Sequence, residues 1–231
     1  NKRNTTILAL EKQIKLIFNS FKPALKRLLR DKLAILGLAI IVSLIIIGVF
    51  APSIAPHDPL ELKLSRKLKP PTRDFPLGTD HLGRCILSRL IYGTRISLTT
   101  AVLVSILIVM FGVPLGMLSG YIGGRLDNII MRIVDTLMAF PSLILALAIA
   151  GMLGPSLPNV MIAIVATRWV GYTRIIRGVT LSIKEKEYIT AARASGASDL
   201  RIIFYHILPN AISPIIILAT LDIGRIILSI T

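Results

Sequence analysis

Few residues in this 231-residue chain could do chemistry by themselves. The three histidines, His57, His81 and His206, form no HExxH pattern, the spacing that sets two imidazoles on one helical face around zinc. Cys85 is the single cysteine, which excludes an internal disulfide and any multi-cysteine metal site. There is no GxxxxGK[ST] loop, whose backbone amides and lysine would be needed to hold ATP. His57-Asp58 and Asp80-His81 could touch a metal or a peptide, but the prolines and threonine around them favour turn and cap roles. No nucleophile–base constellation points to an enzyme. Three charges do stand out, because Arg168, Asp222 and Arg225 interrupt apolar stretches. Charges inside a membrane rarely face lipid, so these are expected to face other subunits or a wet pathway. Asp222 and Arg225, three residues apart, are placed to pair with one another or to line a subunit interface. As relay groups with Arg168 they would instead fit an ion-coupled secondary transporter.

A second group lies in the basic segment 184–206. Lys184 to Ser195 favours a short helix, which Gly196 can stop in the left-handed conformation. Ser198 or Asp199 can cap a second short helix, which Pro209 ends or hands to the next element. Ala191 and Ala192 leave part of the first helix nearly bare, and Tyr188 lies one turn from Ala192 on the same side. Such a knob suits a groove on a cytoplasmic partner, and equally an ordinary interfacial helix.

The elements that must position these residues are membrane helices. The chain is 54% hydrophobic and only 6% aromatic, with mean hydropathy +0.75. That exceeds what a soluble domain of this length needs, and it lacks the aromatic girdles of a β-barrel. The net charge of +15 is confined to blocks between long neutral stretches. This is the pattern of headgroup anchors and topology signals, and it argues against nucleic acid as a partner. The expected fold is all-α, a polytopic transmembrane helical bundle.

Residues 1–32 carry nine Lys/Arg and two acids, with Ile7, Leu10, Ile14, Ile17 and Phe21 at helical spacing, and read as a basic amphipathic segment on the cytoplasmic surface. Residues 33–50 read as the first span and 51–95 as an external Pro-rich loop with an interfacial helix around 86–91. Further spans are expected at 96–118, 129–153, 157–176 and from 209 onward, five in all. Gly112, Gly116 and Gly120 recur every four residues, a stripe for close helix packing. Segment 174–206 has six Lys/Arg and the turn 154–158 has none, which puts the former and the N-terminus inside the cell. The eight Lys/Arg of the loop 51–95 run against that rule.

Thr190-Ala191-Ala192, then Gly196, then His206-Ile207-Leu208-Pro209 resembles the EAA loop of ATP-binding-cassette importer permeases. Other blocks are similar to the dipeptide/oligopeptide/nickel branch of that family. They include Arg30-Asp31-Lys32-Leu33-Ala34, Leu77-Gly78-Thr79-Asp80-His81-Leu82-Gly83-Arg84, Gly120-Tyr121-Ile122-Gly123-Gly124 and Ala139-Phe140-Pro141-Ser142. The resemblance implies a permease core over 96–231 and a sixth helix beyond Thr231. It also implies a homologous permease subunit as heterodimer partner, two cytoplasmic ATPase subunits that bind the ATP, and an external substrate-binding protein delivering di- or oligopeptides, nickel or another small solute. The chain itself would be no enzyme and carry no cofactor or metal. Glu187, Tyr188, Ala191, Ala192, Gly196, Ala197, Asp199 and Leu200 would couple to the ATPase. Thr190 stands where the signature usually opens with an acid, and Cys85 where similar chains carry one.

Overall fold

The computed structural model describes residues 30–230, and within them every extended regular element is helical. The surface helix expected over residues 1–32 lies almost wholly outside the described residues. Two compact units divide at Arg95 and Ile96.

In the first unit, helix α1 (Lys32–Val49) is capped by Asp31, whose Oδ1 accepts from the Leu33 amide at 2.9 Å. It is apolar all round and almost bare of protein contacts, as a lipid-facing span should be. After a single turn, α2 (Ala51–Ile54), the chain enters the Pro-rich loop, which has one 3₁₀ turn at Leu64–Arg66. The His57 ring stacks on Phe75 at 4.5 Å, and the Arg66 guanidinium sits over Phe75 at 5.5 Å. Thr79 Oγ1 accepts from the Lys69 amide and donates to the Arg66 carbonyl, while Thr79 and Cys85 form a single antiparallel bridge.

Asp80 organises the end of this loop. Its Oδ1 accepts from the Leu82 and Arg84 amides at 2.9 Å, and its Oδ2 meets Arg84 Nε at 2.8 Å and Arg89 Nη1 at 2.5 Å. Burial of the side chain opposes its charge, but those amides and guanidinia more than offset it and hold the carboxyl well below its ordinary 3.8. A carboxyl depressed in the folded state stabilises above its unfolded value, and the gain is lost as pH falls through 3.8 toward the folded value. Asp80→Asn at neutral pH is therefore expected to reproduce the acid state, with faster amide exchange at Leu82 and Arg84. Hydrogen-exchange mass spectrometry over residues 78–89 checks it.

Helix α3 (Ile86–Ile122) begins in the first unit and continues through the second. The interfacial helix and the second span are thus one 37-residue helix rather than two. Nothing between residues 91 and 96 breaks it: Gly93 alone is tolerated, and Thr94 Oγ1 bonds back to Leu90 O within the turn. The helix also passes through Pro114 without interruption. Asp80 does not cap it, because the helix starts six residues later.

The second unit continues with α4 (Gly124–Met138) and α5 (Ser142–Leu153), which meet at 87° around Pro141. Gly154 (φ +91°) turns the chain, Asn159 Nδ2 bonds the Leu153 and Gly154 carbonyls, and Ser156 caps α6 (Leu157–Lys184). Two short helices follow, α7 (Glu187–Ala194) and α8 (Asp199–Ile202). A π-helical turn, Ile203–Ile207, leads into α9 (Leu208–Ile230). By length and composition, α1, α3 and the run Asp199–Ser229 can each cross a membrane, and the bent α4–α5 pair makes a fourth if it is one broken span. The expected span at 157–176 does not qualify on hydropathy. Its helix is longer and carries Arg168, Arg174 and Arg177, whose charges are met by partners on other helices.

Candidate functional site

The segment 187–202 is held to the bundle from below and left open above. Ile189, the one fully buried residue of α7, joins Ile202, Ile203 and Ile207 in a cluster with Met117 and Tyr121 of α3 and Ile176 of α6. Burying such aliphatic side chains contributes about 1.5–3 kcal/mol each, so the segment is an anchored element rather than a loose loop. The helix stops in a Schellman motif. The Ala197 amide donates to Ala192 O at 3.1 Å and the Gly196 amide to Arg193 O at 3.0 Å, with Gly196 at φ +79°.

Tyr121 is the polar pivot beneath it. Its hydroxyl donates to Asp199 Oδ1 at 2.7 Å, and its carbonyl accepts from Lys184 Nζ at 2.7 Å. Lys184 Nζ and the Arg193 guanidinium each lie 5.7 Å from its ring centre. The end of α3, the end of α6, α7 and α8 therefore converge on one side chain.

Of the coupling candidates, Glu187, Tyr188, Ala191, Gly196 and Leu200 are exposed, and Ala192 and Ala197 are partly covered. Tyr188 and Leu200, large apolar groups 44% and 65% exposed, flank bare alanine backbone. Asp199 differs, since its carboxylate is engaged by Tyr121. The face on offer is small, apolar and rigidly backed, and it can accept another protein's side chains in close contact.

The glycine stripe lies against α6. A Cβ at Gly112 would meet Tyr172 Cβ at 2.6 Å, one at Gly116 the Thr173 carbonyl at 2.6 Å, and one at Gly120 the Arg177 carbonyl at 2.8 Å. Thr173 Oγ1 donates across the contact to Gly112 O at 3.2 Å.

Charge pairing inside this unit differs from expectation. Asp222 pairs with Arg168 at 2.6 Å and not with Arg225 three residues away, because it is buried against α6. Arg168 Nη2 also reaches Ser229 Oγ at 3.2 Å. Asp127 of α4 takes Arg177 of α6 in a two-bond fork, both contacts 2.6 Å, and Ser119 of α3 donates to the same carboxylate. Arg174 pairs with Asp135. Sequence reasoning missed Asp127 and Tyr121 as anchors. Their partners lie 50 and 78 residues away, beyond any local spacing rule.

Membrane-length apolar helices, an apolar helix pair bent at Pro141 and charges paired between helices define a polytopic α-helical membrane protein. Residues 112–231 match the family described as binding-protein-dependent transport system inner membrane component. Residues 20–71 match the N-terminal TM domain of oligopeptide transport permease C. The chain belongs to this family of transport components. It is 43% identical over 208 residues to the dipeptide transport system permease protein DppC of Alkalihalophilus pseudofirmus, covering 90% of this chain and 68% of that protein. The oligopeptide transport system permease protein OppC of Bacillus subtilis is 39% identical, covering 92% and 70%. The nickel transport system permease protein NikC of Escherichia coli is also 39% identical, covering 84% and 70%.

Proposed function

We propose that the chain is the permease subunit of an ATP-binding-cassette importer for di- or oligopeptides. It forms half of the translocation pathway with a homologous permease. Two cytoplasmic ATPase subunits supply the energy, and an external binding protein delivers the peptide. The chain binds no ATP and catalyses nothing. Its N-terminus and the segment 187–202 face the cytoplasm, the side that the basic residues of 174–206 indicate. What carries the coupling role is the contrast within that segment: Ile189 and Ile202 fully buried beneath, Tyr188 and Leu200 exposed above. Closure of the ATPases on this knob moves the attached ends of α3, α6 and α9, tilting the pathway between two arrangements. Likeness to the dipeptide and oligopeptide permeases supports the peptide reading. Likeness to the nickel permease favours, as the second reading, a small-solute importer of the same design.

Uptake by sealed vesicles holding the assembled importer tests this. Import of labelled peptide is expected to stop on ATP depletion and to survive collapse of the ion gradient. The reverse result would support a secondary transporter, and import of nickel without peptide would support the second reading.

A further inference from the structure

Two cavities lie beside the 87° bend between α4 and α5, open to the surface at Phe140, Leu143 and Leu147. They adjoin, with volumes of about 510 and 460 Å³, and share Ser142, Thr167 and Arg168. One extends along α5 and α6 past Leu143, Leu147 and Ile164, and is apolar. The other reaches Phe140, Gly171 and Arg225 at the break itself. Together they have the size of a small-solute site, with one oily end and one cationic end.

The charges at the cationic end do not balance. Arg168 is neutralised by Asp222 at 2.6 Å. Arg225, whose i−3 neighbour is that same Asp222, forms no ion pair among the described residues. Arg225 is exposed at the cavity, on a run long and apolar enough to cross a membrane, where an unmatched arginine is costly and calls for an anion. Beside it, α5 starts at Ser142 with no side-chain cap, adding first-turn amides of the same polarity.

We propose that this chamber is a carboxylate-recognising subsite on the transport path. Arg225, backed by the Arg168–Asp222 pair, takes the carboxylate of the transported peptide. The peptide's apolar side chain lies toward Leu143 and Leu147. The proposal rests on the peptide-import reading above. A planar guanidinium matches a carboxylate in two parallel hydrogen bonds, which no simple cation or neutral solute would use. A carboxylate of a partner subunit is the competing anion. The solute is favoured because Arg225 lines a chamber with an apolar arm of matching size.

The test uses the assembled importer in proteoliposomes with internal ATP and saturating loaded binding protein, so that the latter's affinity drops out. Initial uptake of the dipeptide alanyl-phenylalanine and of its C-terminal amide is compared for wild type, Arg225→Gln and Arg225→Lys. In R225Q the ratio of free-acid to amide uptake is expected to fall about tenfold relative to wild type, the loss of one charge-assisted contact. In R225K the ratio is expected to fall to an intermediate value, because the ammonium keeps the charge but loses the two-bond fork. The same ratio in R225Q as in wild type, or a wild-type ratio near one, overturns the subsite while leaving peptide import standing. Loss of the homologous subunit from purified R225Q complex also overturns it, in favour of a partner contact. If wild type imports neither peptide, the peptide reading falls and the subsite with it.

Discussion

Gly116→Val is expected to abolish recovery of folded, assembled protein. The residue sits where α3 crosses α6, and an added Cβ would lie 2.6 Å from the Thr173 carbonyl, 3.0 Å from Ile176 Cβ and 3.1 Å from the Arg177 amide. Two of these are backbone atoms of a long helix and cannot rotate aside. The helices must part, which opens the buried contacts of Val113, Met117 and Ile176 and pulls Arg177 from its fork with Asp127. Overpacking of this kind costs about 3 kcal/mol or more when backbone blocks the way. Gly178→Ala is the control on the same pair of elements. A Cβ there meets nothing within 4 Å, and alanine in a helix interior gains about 0.5–1 kcal/mol over glycine. Size-exclusion profiles after heating in detergent should place wild type and Gly178→Ala together, with Gly116→Val aggregated or absent.

The second large effect is expected at Ala191→Trp. Ala191 is exposed on α7, one turn from Glu187, and a side chain there points away from the Ile189 anchor. The substitution should leave the bundle intact, since nothing buried is displaced. On the proposed docking face it inserts a bulky ring where a partner's surface must approach bare backbone. Docking that depends on close fit tolerates such overpacking poorly, at a cost of about 1–3 kcal/mol, and a 1.4 kcal/mol loss is already tenfold in occupancy. Peptide uptake is expected to fall by about tenfold or more.

Local features were legible in the sequence because they follow from neighbours in the chain. Gly196 stops α7, and the four-residue glycine spacing is the close contact with α6, whereas the stretch 129–153, expected as one span, is divided by an 87° bend around Pro141. The partition of charge was not. Asp222 and Arg225 are close enough in sequence to pair. Tertiary packing turns Asp222 toward Arg168, 54 residues earlier, and leaves Arg225 at the cavity beside Pro141. Tyr121 stands in a block similar to the family, but nothing local gives its role, which lies in the convergence of Lys184, Arg193 and Asp199 upon it. Sequence alone divides α3 into an interfacial helix around 86–91 and a span from 96, whereas one continuous helix carries both. Likewise the hydropathy of α6 understates its role, since its arginines are answered by acids on α4 and α9.

The measurement that bears most directly on the account is ATP hydrolysis by the assembled importer, with and without loaded binding protein, read alongside peptide uptake for wild type and Ala191→Trp. The account predicts complexes of equal stability. In Ala191→Trp, stimulation of hydrolysis by loaded binding protein is lost and uptake falls with it. Wild-type stimulation and uptake in Ala191→Trp would contradict the assignment of α7 as the place where this chain receives the work of its ATPase partners.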